Sequence, residues 1–136
     1  MNPRALIIAA HVRKTFERIA RDESFPADLA CLCLRASKAL AKALTKTGIK
    51  AKLVMGGYRE PYGECGDHCW IEIGDKIIDI TATQFGTFDR VHVTDVSDPE
   101  YFAAFKSARR IAREISTWDI NQRPQREDLA AIGLVR

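Results

Sequence analysis

The chain has 136 residues and 46% apolar content, enough for one hydrophobic core and short of two ordinary domains, so a single compact domain over 1–136 is expected. Its 21 Lys and Arg against 18 Asp and Glu leave a charge of +3 that is spread along the chain rather than gathered into a block, which argues against nucleic acid as a partner. Near the N-terminus, Ala5 to Ala10 form an apolar run too short for a membrane span and followed by His11, Arg13 and Lys14 rather than a cleavage site, so no membrane association is expected and the location reads as cytoplasmic, or reached by a route that needs no signal peptide.

Ala5, Ile8, Val12, Phe16 and Ile19 fall at three- and four-residue steps and predict an amphipathic helix over 5–20. Pro26 interrupts that pattern and Asp28 is placed to cap a second helix, which should start between 29 and 33 and run to Thr47, with Gly48 as its stop. Ile49, Ala51, Leu53 and Met55 alternate along the chain, with Lys50 and Lys52 between the first three, and predict a half-buried strand ahead of Gly56 and Gly57. The stretch from Tyr58 to Asp67, with Pro61, Gly63 and Gly66, reads as a surface loop. His68 to Ile73 and Lys76 to Ala82 read as strands joined by a type II′ turn at Gly74-Asp75, part of a meander of three or more strands. Ser97-Asp98-Pro99-Glu100 is a helix start, and Phe105, Ala108, Ala112 and Ile115 extend that helix over about 99–118, with Arg109, Arg110 and Arg113 on its solvated face. Asn121 to Arg136 reads as a tail or a swapped arm.

Nothing points to secretion, so Cys31, Cys33, Cys65 and Cys69 read as reduced thiols or metal ligands rather than disulfides. The residues that point to chemistry are Cys33 at a helix start, His68 on a strand and Asp79 on the next strand. A thiolate is the attacking form of cysteine, and helix N-terminal amides together with a neighbouring imidazolium stabilise it. With Gly74-Asp75 as a two-residue turn, Ile73 opposes Lys76, Trp70 opposes Asp79, and Asp79 shares a face with His68 as its diagonal neighbour. A three-residue turn would reverse that parity. Asp79 lies between two isoleucines, where a carboxylate needs a partner, and His68 is the nearest candidate. His11 and His92 lack such a context and read as surface or helix-face residues, and Gln84 reads as a cap on the strand end.

The block Cys33-Leu34-Arg35-Ala36-Ser37 with Leu40, Leu44 and Gly48-Ile49, the strand Ala51 to Met55, then His68-Cys69-Trp70-Ile71-Glu72 and Asp79, resembles the transglutaminase-like branch of the papain-like thiol enzymes over about residues 28–86. The resemblance implies an α+β fold in which the helix bearing the nucleophile packs on an antiparallel sheet. It also implies amide chemistry: peptide hydrolysis as by a thiol protease, glutamine deamidation or acyl transfer, with a catalytic triad of Cys33, His68 and Asp79; the short chain, with no obvious specificity domain, favours a protein or peptide substrate docked outside the cleft, or a small amide. Cys31 competes with Cys33 as nucleophile, and Cys33 is preferred because Cys-x-x-Ala-Ser and the leucine spacing align with the family. No glutamine precedes Cys33 at the papain-type position, which leaves the oxyanion to backbone N–H groups or to a side chain not identified from the sequence, Gln84 being one candidate substitute.

A rival reading from another class is a zinc module built from Cys31, Cys33, Cys65, His68 and Cys69. Against it, residues two apart in a helical pattern do not share a face. A third is an inactive fold-mate that binds a partner. The triad reading requires no cofactor and no metal.

Overall fold

The computed structural model describes residues 1–59, 65–104, 112–115 and 125–135. Helix α1, Pro3–Asp22, opens with Asn2, whose Oδ1 accepts the Arg4 N–H at 2.9 Å, and with proline at its first position, where a missing N–H costs nothing. Its buried face carries Ala5, Ala9, Val12, Phe16 and Ile19. Helix α2, Cys33–Lys46, packs against α1 through Ala36, Ala39, Leu40, Ala43 and Leu44. Beyond it Gly48, at φ 81°, takes the left-handed conformation that ends the helix, and Ile49 N–H returns to the Leu44 carbonyl at 3.1 Å.

Asp28 is not the cap expected of it. Its carboxylate accepts the Ala30 N–H in the turn before α2, whereas the N-cap position is Leu32 and has no side-chain cap. Leu29 and Cys31, at φ 67° and 72°, bend the chain so that the helix begins at Cys33.

Strands β1 (Lys52–Arg59), β2 (Cys65–Ile73), β3 (Lys76–Asp79), β4 (His92–Asp95) and β5 (Ala112–Ile115) form an antiparallel sheet in the order β4-β3-β2-β1-β5. The fold is α+β, as the resemblance implied. At the β2–β3 turn Ile73 pairs with Lys76 and Glu72 with Ile77; Gly74 takes φ 61° and Asp75 does not take positive φ, the pattern of a II′ turn. The expected register is therefore the observed one.

Further expectations need correction. The strand after Ile49 is not half-buried: Leu53 joins Cys69, Ile71 and Ile78 in the core beneath α1 and α2, while Val54 joins Trp70, Ile77, Tyr101 and Phe102 on the other face. The supposed loop from Tyr58 to Asp67 is largely strand, since β1 continues to Arg59 and β2 starts at Cys65, with 60–64 outside the described residues.

The helix expected over about 99–118 is described only as the short α3, Pro99–Ala104. Ala112–Ile115 is strand, pairing Leu53 with Ile115 and Gly56 with Ala112. The three-residue step that suggests a helix also fits a strand end here, and the open edge of β1, a row of backbone donors and acceptors, selects the strand. Arg113 thus lies opposite Met55 in the sheet rather than on a helix face. Phe105, Ala108, Arg109 and Arg110 lie outside the described residues.

Nor is 121–136 simply a tail. Helix α4, Arg126–Ala131, docks through Asp128, which is paired with Arg35 of α2 at 2.9 Å, and the ring of His11 binds the Ile132 carbonyl at 3.0 Å. Among the described residues no helix is long and apolar enough to cross a membrane.

One buried cation ties α1 to the strand end that carries Asp79. Arg13, 3% exposed, donates from one guanidinium nitrogen to the Ile80 carbonyl and the Thr83 hydroxyl, both at 2.9 Å, and from Nε to Glu17. Arg13→Ala strands the buried Ile80 carbonyl, while Glu17 keeps its pair with Arg90, and is expected to lower unfolding free energy by about 2 kcal/mol in urea titration.

Candidate active site

Cys33 is the first residue of α2, His68 lies within β2 and Asp79 ends β3. The structure brings them together. His68 Nε2 and Asp79 Oδ2 are 2.5 Å apart, both side chains fully buried. Cys33 and His68 lie close enough to shift each other's ionisation. With Nε2 engaged by Asp79, Nδ1 is the ring nitrogen that can exchange a proton with the thiol.

Several local features hold this arrangement. The residue paired with His68 across β1 is Gly56, which sets no side chain beside the ring. Phe85, from the 3₁₀ turn Ala82–Phe85, meets the imidazole edge-on at 4.7 Å between centroids, and Trp70 lies at 5.8 Å. Trp70 is buried and donates its indole N–H to Glu72 at 2.9 Å, so it belongs to the core beneath the site. Gln84 donates to the Thr81 carbonyl at 3.0 Å and to its hydroxyl, holding the turn after β3 as a cap.

Asp79 has more donors than the sequence disclosed. Beside His68, its carboxylate accepts the Tyr101 hydroxyl at 2.6 Å, the Thr81 N–H at 2.8 Å and, at longer range, the Thr81 hydroxyl. Tyr101 comes from α3, 22 residues downstream, and stacks on His92 with an interplanar angle of 17°. His92 is therefore part of the packing behind the acid rather than a bare surface residue. A buried carboxylate signals that donors must exist, but it does not say which residues supply them.

The charges follow from these contacts. Burial opposes ionisation of Asp79, yet His68, Tyr101 and the Thr81 N–H hold its carboxyl below the usual carboxylate range. Burial also opposes the charge on His68, but Asp79 and the Cys33 sulfur outweigh it and raise its pKa to about 9. The nearby Cys69 thiol is the largest influence on Cys33; burial pushes the other way, and His68 and the Cys69 N–H add to the lowering, leaving a pKa of about 5. Between these values the pair is a thiolate and an imidazolium.

The helix start adds to this. No side chain caps α2, and its first backbone bond is Ala36 N–H to the Leu32 carbonyl, so the first-turn amides point outward at Cys33, where negative charge is favoured. Cys31, by contrast, is exposed and precedes the helix, while Cys33 is half-buried beside His68. Among the described residues no three His, Cys, Asp or Glu side chains are arranged to hold a metal ion; the Cys65 side chain lies outside what is described.

Two outcomes check this electrostatic picture. Because the Asp79 charge raises the His68 pKa, Asp79→Asn should drop it from about 9 to below the ordinary imidazole value, read by NMR titration of the ring. The same linkage gives the stability from protonated His68 in full below about pH 6.5 and removes it as pH rises through about 9. Tyr101→Phe, which deletes one donor to a buried carboxylate, should cost about 2 kcal/mol in urea unfolding.

The family model described as the transglutaminase-like superfamily matches residues 2–93. No curated protein and no solved structure matches the chain. The family match spans more than half of the 136 residues and takes in Cys33, His68 and Asp79, whereas α3 with Tyr101 lies beyond it. The chain belongs to the transglutaminase-like superfamily.

Proposed function

We propose that this protein is a cysteine-dependent enzyme acting on amide bonds, a peptidase or a protein-glutamine deamidase, with Cys33 as nucleophile, His68 as acid and base, and Asp79 as the group that orients and charges His68. The observation that carries the reading is the buried His68–Asp79 pair with Cys33 close enough to shift the ionisation of the same imidazole. Family membership supports cysteine chemistry in general and leaves the reaction to be identified.

In this mechanism the Cys33 thiolate attacks the amide carbonyl carbon and forms a tetrahedral oxyanion, which the first-turn amides of α2 are placed to stabilise. The C–N bond then breaks as His68 gives its Nδ1 proton to the leaving nitrogen, producing a thioester on Cys33 and an amine or ammonia. Water, deprotonated by the now neutral His68, hydrolyses the thioester and restores the thiolate–imidazolium pair; an amine arriving in its place would give acyl transfer. Asp79 stays ionised throughout and stabilises the imidazolium.

The substrate is a protein or peptide amide. Incubating the protein with a glutamine-containing peptide and assaying ammonia against new amino termini separates deamidation from peptide cleavage. Cys33→Ser and His68→Ala should each lose at least about 10³-fold in turnover, with Asp79→Ala retaining more. Undiminished activity in Cys33→Ser would remove Cys33 from the mechanism. Activity should rise as Cys33 ionises near pH 5 and fall as His68 loses its proton near pH 9, a bell read from kcat/KM across pH.

A further inference from the structure

Cys69 takes no step in the mechanism above, yet it belongs to the core cluster against which Cys33 packs and is near enough to perturb that thiol. The packing fixes that placement. Cys69 lies on β2 in the core beneath α2 and is 1% exposed; Cys33 packs against the same core from the first turn of the helix. One turn on, Ser37 donates its hydroxyl to the Cys69 carbonyl at 3.3 Å, pinning this helix face to this stretch of strand. A cysteine in such a position is ordinarily a small apolar filler. Here it stands beside the half-exposed thiol that the mechanism above uses as its nucleophile.

The difference in exposure sets an order of events. A small oxidant reaches Cys33 and does not reach Cys69 directly, so oxidation starts at Cys33 and the buried thiol can only respond. We propose that Cys33 and Cys69 form a reversible disulfide under hydroperoxide, with Cys33 as the peroxidatic thiol and Cys69 as the resolving one, so that the site is switched off rather than destroyed by oxidation.

The Cys33 thiolate attacks one peroxide oxygen and the O–O bond breaks. The departing hydroxide takes the His68 proton as water, leaving Cys33 as a sulfenic acid. Cys69 gives its proton to His68, and its sulfur attacks the Cys33 sulfur. The S–O bond breaks, and the second hydroxide leaves as water on recovering that proton. Two thiols and one hydrogen peroxide become one disulfide and two waters. An external dithiol reverses the step by exchange.

The inhibitory consequence rests on Cys33 being the nucleophile; formation of the bond does not, and it is read without substrate. Full-length protein is treated with hydrogen peroxide, quenched, alkylated under denaturing conditions and mapped by peptide mass spectrometry before and after dithiothreitol. The expected product is a Cys33–Cys69 cross-linked peptide that dithiothreitol removes. At excess peroxide, Cys33 sulfinic acid should accumulate at least about tenfold faster in Cys69→Ala than in wild type, because the resolving thiol is gone. Cys69→Ser repeats the comparison with an isosteric side chain, should the alanine variant unfold. Sulfinic acid forming equally in wild type and variants, or Cys33 linking to Cys31 or Cys65 instead, would overturn the proposal. A Cys33–Cys69 bond in a protein with no amide activity would refute the catalytic reading and leave this one standing; activity without the bond would do the reverse.

Discussion

The interaction on which the rest of this structure depends is the solvation of one buried carboxylate by the protein itself. Asp79 is 0% exposed, and an ionised carboxyl in such a place is tolerable only when charge and hydrogen bonds replace water. The replacements come from different parts of the chain: the His68 ring from the neighbouring strand, the Tyr101 hydroxyl from α3 on the far face, and the Thr81 N–H from the turn that follows. Arg13 of α1 then fixes the adjoining Ile80 carbonyl. Helices on both faces of the sheet are therefore in register with the same acid, and the position of His68 against Cys33 follows from theirs.

What could be read from the sequence follows a physical division between local and non-local constraint. The β2–β3 hairpin was legible because a two-residue turn with glycine first leaves a single register, and that register brings His68 and Asp79 together. The start of α2 was legible to within a few residues, although the side chain proposed to cap it holds a different turn. Tyr101 was not legible as a donor to Asp79, because their contact crosses the sheet to a helix whose own sequence speaks only of its capping. Strand β5 was misread for a related reason. Ala112 and Ile115 satisfy a helical step, and only the vacant edge of β1, a property of the assembled sheet, decides for the strand.

The sheet's two covered faces also explain why strand amphipathicity misled. Lysines at 50 and 52 suggested a solvated side, but Val54 is enclosed by Trp70, Tyr101 and Phe102 from the far face. A helix as short as α3 can do this because it delivers two large aromatics where the strands present Trp70 and Ile77. The aromatic cluster behind the acid and the donor to the acid are thus the same element, and the packing that excludes water from Asp79 also supplies one of its hydrogen bonds.

The placement of α3 has a consequence for how the family relates to the folding unit. The similarity shared with the superfamily ends at residue 93, and within that span lie the thiol, the imidazole and the carboxylate. The tyrosine that completes the carboxylate's environment lies beyond it, as does the strand that closes the edge of β1. The candidate triad and the packing around it therefore have different boundaries in this chain: a fragment drawn at the limit of family resemblance would contain the thiol, the imidazole and the acid and still lack one donor to that acid and the aromatics that keep it dry.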